Sequence, residues 1–317
     1  MKFYPEGHLI DKAENKASMQ TPAALSDAMR DGKILEARSI ICDNEHNLIV
    51  DLKCMRGIIP REEGALGIRE GTVRDIAIIS RVNKPVCFII TDFIRDAFGR
   101  ITAVLSRRKA QERCMAEYIA GLTCGDVIPV RITHLEPFGA FVDAGCGLVS
   151  LIGIENLSVS RIFHPSDRVQ VGQQLYAVLS GIDADTGRIS LTHRELLGTW
   201  AENAAQFAAG ETVCGIVRSV EDYGVFIELA PNLSGLAELR FPVAAGDLVS
   251  CYIKSILPER MKIKLNLIDR IGTAPVPPPP LPYFITSGHI SRWQYSPPCC
   301  AARHICTEFD EPSIEDL

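Results

Sequence analysis

The sequence predicts a mainly β chain built from three small barrels in tandem, joined by two helices. Two aromatic-glycine-aromatic elements, Phe138-Gly139-Ala140-Phe141 and Tyr223-Gly224-Val225-Phe226, each lie inside an apolar pattern that alternates with the period of a strand. Around each, the same landmarks recur in the same order: a glycine-acid start (Gly125-Asp126, Gly210-Glu211), a Gly-Leu pair (Gly147-Leu148, Gly235-Leu236) and a closing basic-Ile-x-Leu strand (Arg188-Ile189-Ser190-Leu191, Lys262-Ile263-Lys264-Leu265). Ordered recurrence of this kind marks an internal repeat. Upstream of both, residues 32–108 read as strands with the spacing of a diverged first copy.

A polar leader over 1–31 ends in a short helix signal: Thr21 as N-cap, Pro22 at the first helical position, Gly32 as stop. Strands are then expected at 34–41, 47–52, 59–60, 76–82, 86–91 and 101–105, with Gly57-Ile58-Ile59-Pro60 in place of the later Gly-Leu strand. Asp43-Asn44-Glu45-His46-Asn47 stands where the aromatic pair should be. Residues 106–120 are helix-like, with Ala110, Cys114, Tyr118 and Ile119 on one face and Arg107, Arg108, Lys109 and Arg113 near the start. A second helix over 194–208 carries Leu196, Leu197, Trp200, Ala204 and Phe207 at helical spacing, which reads Trp200 as a packing residue. The resulting divisions are a leader at 1–31, barrels at 32–108, 125–192 and 210–269, connecting helices within 109–124 and 193–209, a Pro-rich spacer at 270–282, and an extension at 283–317. The spacer should be stiff polyproline. The extension, with Tyr283, Phe284, Ile285, Ile290, Trp293 and Tyr295, is apolar enough to fold back against the last barrel, turning at Ser287-Gly288.

The charged fraction of 23% and hydrophobic fraction of 47% are those of a soluble globular protein. No apolar run approaches the roughly 18 residues that span a bilayer, and Met1 to Asp11 lack a signal-peptide core, so a cytoplasmic protein with no membrane partner is expected. A net charge of −6 disfavours blanket neutralisation of duplex phosphates. Charge is uneven: thirteen Lys and Arg face ten Asp and Glu in residues 32–108, four face seven in 125–192, and six face seven in 210–267.

The eleven cysteines are scattered and odd in number, which reads as reduced, mostly buried thiols. Cys299, Cys300, His304 and Cys306 cluster near the carboxyl end, but adjacent cysteines and a one-residue His-to-Cys gap are poor zinc-ligand spacing. His134, His164 and His193 have no nucleophile at a useful spacing, and Asp183 with Asp185 reads as a strand connector. No enzyme activity and no cofactor are expected.

In a regular strand Phe138 and Phe141, three residues apart, would point to opposite faces. A glycine between them permits a bulge that turns both rings toward solvent, and exposed rings stack nucleotide bases. Candidate phosphate contacts are Arg131, Arg161, Arg168 and Arg188 in one copy and Arg218, Arg260, Lys262 and Lys264 in the next.

Both copies resemble the S1 RNA-binding domain. The likeness runs from Phe138-Gly139-Ala140-Phe141-Val142-Asp143 through Glu155-Asn156-Leu157-Ser158, His164-Pro165, Val171-Gly172-Gln173 and Ile182-Asp183 to Gly187-Arg188-Ile189-Ser190-Leu191. Residues 210–267 match less closely, and 32–108 resemble the diverged leading repeats of the family's ribosomal member. The resemblance implies three five-stranded OB-fold barrels. It also implies RNA contacts at Phe138, Phe141, Asp183 and Arg188, and at Tyr223, Phe226 and Lys262. The family's usual binding-face histidine corresponds to Gly153 in one copy and Glu238 in the next.

The expected function is binding of single-stranded RNA, such as mRNA, in translation or RNA metabolism, with residues 32–108 docking to the small ribosomal subunit. Two other readings stay open: an acidic protein-binding adaptor, and a non-catalytic subunit that grips RNA for a degrading enzyme.

Overall fold

The computed structural model describes residues 3–183 and 186–309. Asp185, the first two residues of the leader and residues 310–317 of the extension lie outside the described residues. Contacts divide the chain into two compact units, residues 1–122 with 143–149, and residues 123–142 with 150–317.

The first barrel is made of β1 (Leu35–Cys42), β2 (Leu48–Asp51), β3 (Arg56–Ile59), β4 (Pro85–Arg95) and β5 (Ile101–Ser106), closed in the order β1-β2-β3-β5-β4. The second uses β6 (Val127–Glu136), β7 (Gly139–Asp143), β8 (Val149–Gly153), β9 (Gln174–Ile182) and β10 (Ile189–Thr192). The third uses β11 (Thr212–Glu221), β12 (Gly224–Ala230), β13 (Leu233–Ala237), β14 (Asp247–Leu257) and β15 (Lys262–Thr273). All three share one circular strand order, in which the third strand runs parallel to the fifth. This is the mainly β, five-stranded OB-type architecture the sequence predicts.

Closure works because alternate residues of each strand point inward. In the first barrel Leu35, Leu48, Val50, Ile59, Phe88 and Leu105 are buried together, with Leu25 and Ala28 of the preceding helix packed on them. That helix begins as expected: Thr21 accepts the Ala24 N–H at 3.1 Å and Pro22 stands at the first position of Pro22–Arg30. The linking helix Arg107–Glu117 starts the same way, with Ser106 accepting the Lys109 N–H. Gly57 and Gly235 hold equivalent inward places, where a Cβ would lie 2.6 and 2.5 Å from Leu105 and Leu265 of the closing strands.

Residues 76–82 are not a strand. They form the helical turn Ile76–Ile79, with Ile78 buried and Ile76 and Ile79 exposed. Four contiguous apolar residues carry no period, and Asp75, paired with Arg61 at 2.8 Å, anchors the turn at its start. The second connecting helix is broken: a 3-10 turn at Arg194–Leu197 stops at Gly198, with φ of 81°, before the short helix Trp200–Ala204. Leu196, Leu197 and Trp200 are buried on either side of the break. The landmark Gly147-Leu148 is likewise out of step with Gly235-Leu236. Leu151 faces Ser190 as Leu236 faces Lys264, so Ser150 occupies the place of Gly235, and its hydroxyl bonds the Ile189 carbonyl at 2.7 Å.

The extension folds back as expected, but on two barrels. Ile290, Trp293, Tyr295 and Phe309 join the core of the third, while Tyr283 hydrogen-bonds His193 at 3.0 Å and Asp126 pairs with His289 at 2.9 Å beside the second. The hairpin of β16 (Arg292–Gln294) and β17 (Cys306–Glu308) closes it.

Candidate nucleic-acid interface

Pro137-Phe138 is a two-residue turn between β6 and β7, and Asp222-Tyr223 is the same turn between β11 and β12, where Glu221 pairs with Gly224. The first ring of each pair therefore sits on a hairpin apex and not on a strand, which removes the alternation that would have sent the two rings to opposite faces. Phe138 is 55% exposed and Tyr223 is 69% exposed. Phe141 and Phe226, on the outer faces of β7 and β12, are half-buried. In each pair the rings meet edge to face, with centroids 6.0 and 6.1 Å apart and planes at 85° and 88°.

The glycine between them works differently from the expected bulge. Gly224 has φ of 148°, whereas Gly139 lies outside the left-handed range. What they share is a close backbone neighbour: a Cβ at Gly139 would lie 2.4 Å from the Ile152 carbonyl oxygen, and one at Gly224 2.6 Å from that of Ala237. Absence of a side chain lets each hairpin lie flat on the next strand.

Around Phe141 the outer face continues through Leu151 on β8 to Ser190 on β10. Arg188, exposed just before β10, falls on that same face by alternation. Asp183 shapes the preceding turn, its carboxylate accepting the Thr186 N–H at 2.7 Å. In the third barrel Leu236 faces Lys264, and Lys262 opens β15 two places earlier, where Arg188 stands in the second. His134, which sequence reasoning weighed only for catalysis, stacks on Phe141 with centroids 6.3 Å apart, its Nε2 2.6 Å from Glu136.

The place of the missing histidine is occupied by charge. A Cβ on Gly153 would lie 2.4 Å from the Glu155 carboxylate, so that acid covers the glycine. Gly153 in turn sits against Gly139, the residue that follows Phe138.

Two of the expected phosphate contacts are unavailable. Arg168 and Arg218 are buried, and both are held by the buried carboxylate of Glu228 at 2.7–3.1 Å. Burial pushes the Glu228 carboxyl up, but the hydrogen bonds and charges of the two guanidiniums outweigh it and hold it below its ordinary value. The Arg168–Glu228 contact joins residues 60 positions apart, outside any local motif, so spacing alone had no signal for it. Arg131, Arg161, Arg188, Arg260, Lys262 and Lys264 are not buried.

His193 is buried between the Leu157 carbonyl and the Tyr283 hydroxyl. Burial, opposed by the Leu157 hydrogen bond, lowers its pKa to about 4, so its role is structural. Among the described residues no group of His, Cys, Asp or Glu is placed to hold a metal ion, Cys299, Cys300, His304 and Cys306 included. No helix among them is long and apolar enough to cross a membrane.

Residues 122–194 match the S1 RNA binding domain family. The small ribosomal subunit protein bS1 of Leuconostoc lactis is 31% identical over 236 residues, covering 69% of this chain and 53% of its own length. The bS1 proteins of Rhizobium meliloti and Staphylococcus aureus are also 31% identical, over 60% and 54% of this chain and 33% and 49% of their own lengths. The chain thus spans about half, or less, of the length of these relatives. Among solved structures, a multidomain protein with nucleic acid binding domains from Streptococcus pneumoniae aligns over 75% of this chain and 74% of its own, at a TM-score of 0.25 and 14% identity.

Proposed function

We propose that this chain, which resembles the S1 RNA-binding domain family, binds single-stranded RNA by base stacking on its second and third barrels and acts in translation or RNA metabolism. The carrying observation is the duplicated ring geometry: two edge-to-face pairs, each with one ring on a hairpin apex, agree within 0.1 Å and a few degrees. Stacking on such rings tolerates any base. Phe138, Phe141, Tyr223 and Phe226 are the stacking residues of this reading, and Arg188, Lys262 and Lys264 flank them as cations on the same faces. The chain needs no cofactor for this and performs no chemistry on the RNA.

Similarity to small ribosomal subunit proteins supports association with that subunit in the cytoplasm. We assign the attachment to the first barrel, whose β1–β2 loop carries no ring: the Asp43 carboxylate accepts the Glu45 and Asn47 N–H groups and folds the loop on itself.

The deciding experiment is titration of the chain with a short labelled single-stranded RNA and with its duplex. Single strands should bind more tightly, and Phe138→Ala and Tyr223→Ala should each weaken binding by about 1–2 kcal/mol. Unchanged affinity after removal of all four rings would favour a protein-binding adaptor instead.

A further inference from the structure

The first barrel carries an aromatic at a second hairpin. Phe98 stands on the β4–β5 tip and is 85% exposed. Arg100 lies over one face of its ring, 5.5 Å from the centroid, and is held there by Asp96 at 2.7 Å. The other face is open to solvent.

This tip is built like the turn that carries Asp183 and Arg188. In both, the aspartate N–H bonds the carbonyl of the arginine, at 3.0 Å from Asp96 to Arg100 and at 2.9 Å from Asp183 to Arg188. In both, the aspartate carbonyl accepts a glycine N–H, from Gly99 and from Gly187, and these glycines have φ of 81° and 65°. In both, the aspartate carboxylate accepts the N–H of the residue before the glycine, Phe98 in one and Thr186 in the other. The first barrel thus keeps the arginine-bearing turn and adds a ring to it.

Exposed Arg95 pairs across the hairpin with Ile101, close to the ring. Exposed Arg56 on β3 pairs with Thr102 of β5, on the opposite face, where exposed Asp51 stands across from it. One ring face backed by a cation and one open face, beside a further guanidinium, suits a nucleobase with its phosphates. Ile94 and Ile101 of the same hairpin are also exposed, so docking on a protein is the competing outcome that the test must separate.

We propose that Phe98 is a base-stacking platform, with Arg95 and Arg100 beside it for the neighbouring phosphates, so that the first barrel also holds single-stranded RNA. This rests on the reading that the chain binds single-stranded RNA. An OB-type barrel takes about 4–16 nucleotides of a single strand, so about 30 nucleotides are enough to offer a site to each of three.

The test uses the full chain and a labelled single-stranded RNA of about that length. Phe98→Ala should weaken binding roughly five- to tenfold, with circular dichroism unchanged because the ring has no place in the core. Phe98→Trp should bind like the wild type, and its indole emission should be quenched as RNA is added. If the wild type binds and Phe98→Ala binds equally well, or if the indole is unaffected at saturation, the platform is overturned while the function of the other barrels stands. If Phe98→Ala keeps its RNA affinity but no longer sediments with small ribosomal subunits, the ring docks on protein and the inference fails. If the wild type binds no single-stranded RNA, both readings fall together.

Discussion

Arg168 of the second barrel and Glu228 of the third form a buried, two-pronged ion pair, with nitrogen–oxygen distances of 2.7 and 2.8 Å. Arg218 grips the same carboxylate from within the third barrel, at 2.8 and 3.1 Å. One acid therefore ties the two ring-bearing barrels together.

Glu228→Ala would leave buried Arg168 without a counter-charge and Arg218 with only Asp167, 4.0 Å away, and breaking such a buried pair typically costs about 3–5 kcal/mol. A combined replacement of Glu228, Arg168 and Arg218 by apolar residues should recover most of that loss. Denaturant melts of the single and triple variants check this, and a Glu228→Ala chain as stable as the wild type would refute it. Because the folded carboxyl titrates below its ordinary value, its contribution is present above the unfolded pKa and is lost as pH falls through the lowered folded value.

The two compact units should respond to pH in opposite directions. Glu36 in the first is pushed up to about 7 by burial, against the hydrogen bonds it accepts from the Gly7 and Leu9 N–H groups. A raised carboxyl contributes stability that is complete below its unfolded value and lost as pH rises toward 7. His193 in the second unit, lowered to about 4, contributes stability that is present above its unfolded value and lost as pH falls toward 4. Hydrogen exchange, corrected for intrinsic rates, should show amides around Glu36 better protected at pH 5 than at 7.5, and those around Leu157 and His193 worse.

Glu155 opposes RNA at the second barrel. Its carboxylate covers Gly153, which abuts Gly139 beside Phe138, and sits within a Debye length of any strand stacked on that ring. Glu155→Gln should strengthen binding by roughly two- to fivefold at low salt, the difference shrinking as salt is raised. An affinity that does not change at any salt concentration would place this acid away from the strand's path.

With Arg168 and Arg218 committed to Glu228, the second and third barrels retain few phosphate contacts. For about three contacts to a single strand, log affinity should fall against log salt with a slope near −2. A slope steeper than about −6 would require a longer cationic track than these two barrels hold.

The architecture was legible because it repeats. Phe138 and Tyr223, each followed by glycine and a half-buried aromatic, mark the same hairpin twice, and the basic-Ile-x-Leu runs mark the strand that closes each barrel. Local signals failed where no period existed, as at Ile76–Ile79, and where a single glycine overrode a helical pattern, as at Gly198. They also misaligned Gly147-Leu148, since only the pairing of Leu151 with Ser190 fixes the register. Arg168 and Arg218 looked like surface cations because nothing local reveals a carboxylate sixty positions away from Arg168. Phe98 lies at the β4–β5 tip, outside the β1–β2 loop where the repeat pattern places a ring. The run Asp96-Ala97-Phe98-Gly99-Arg100, set beside Gly187-Arg188, held the signal.

Barrel closure has a consequence for how such a chain reaches its native state. Three successive segments with the same strand order are natural candidates for exchanging strands with one another, a characteristic failure of repeat proteins. Once each sheet has joined its first strand to its fourth, as β1 to β4, β6 to β9 and β11 to β14, it offers no edge for a strand from the neighbouring copy to extend. Completing one barrel therefore insulates it from the next, and a chain emerging from amino to carboxyl end can finish each copy before the following one competes for its strands.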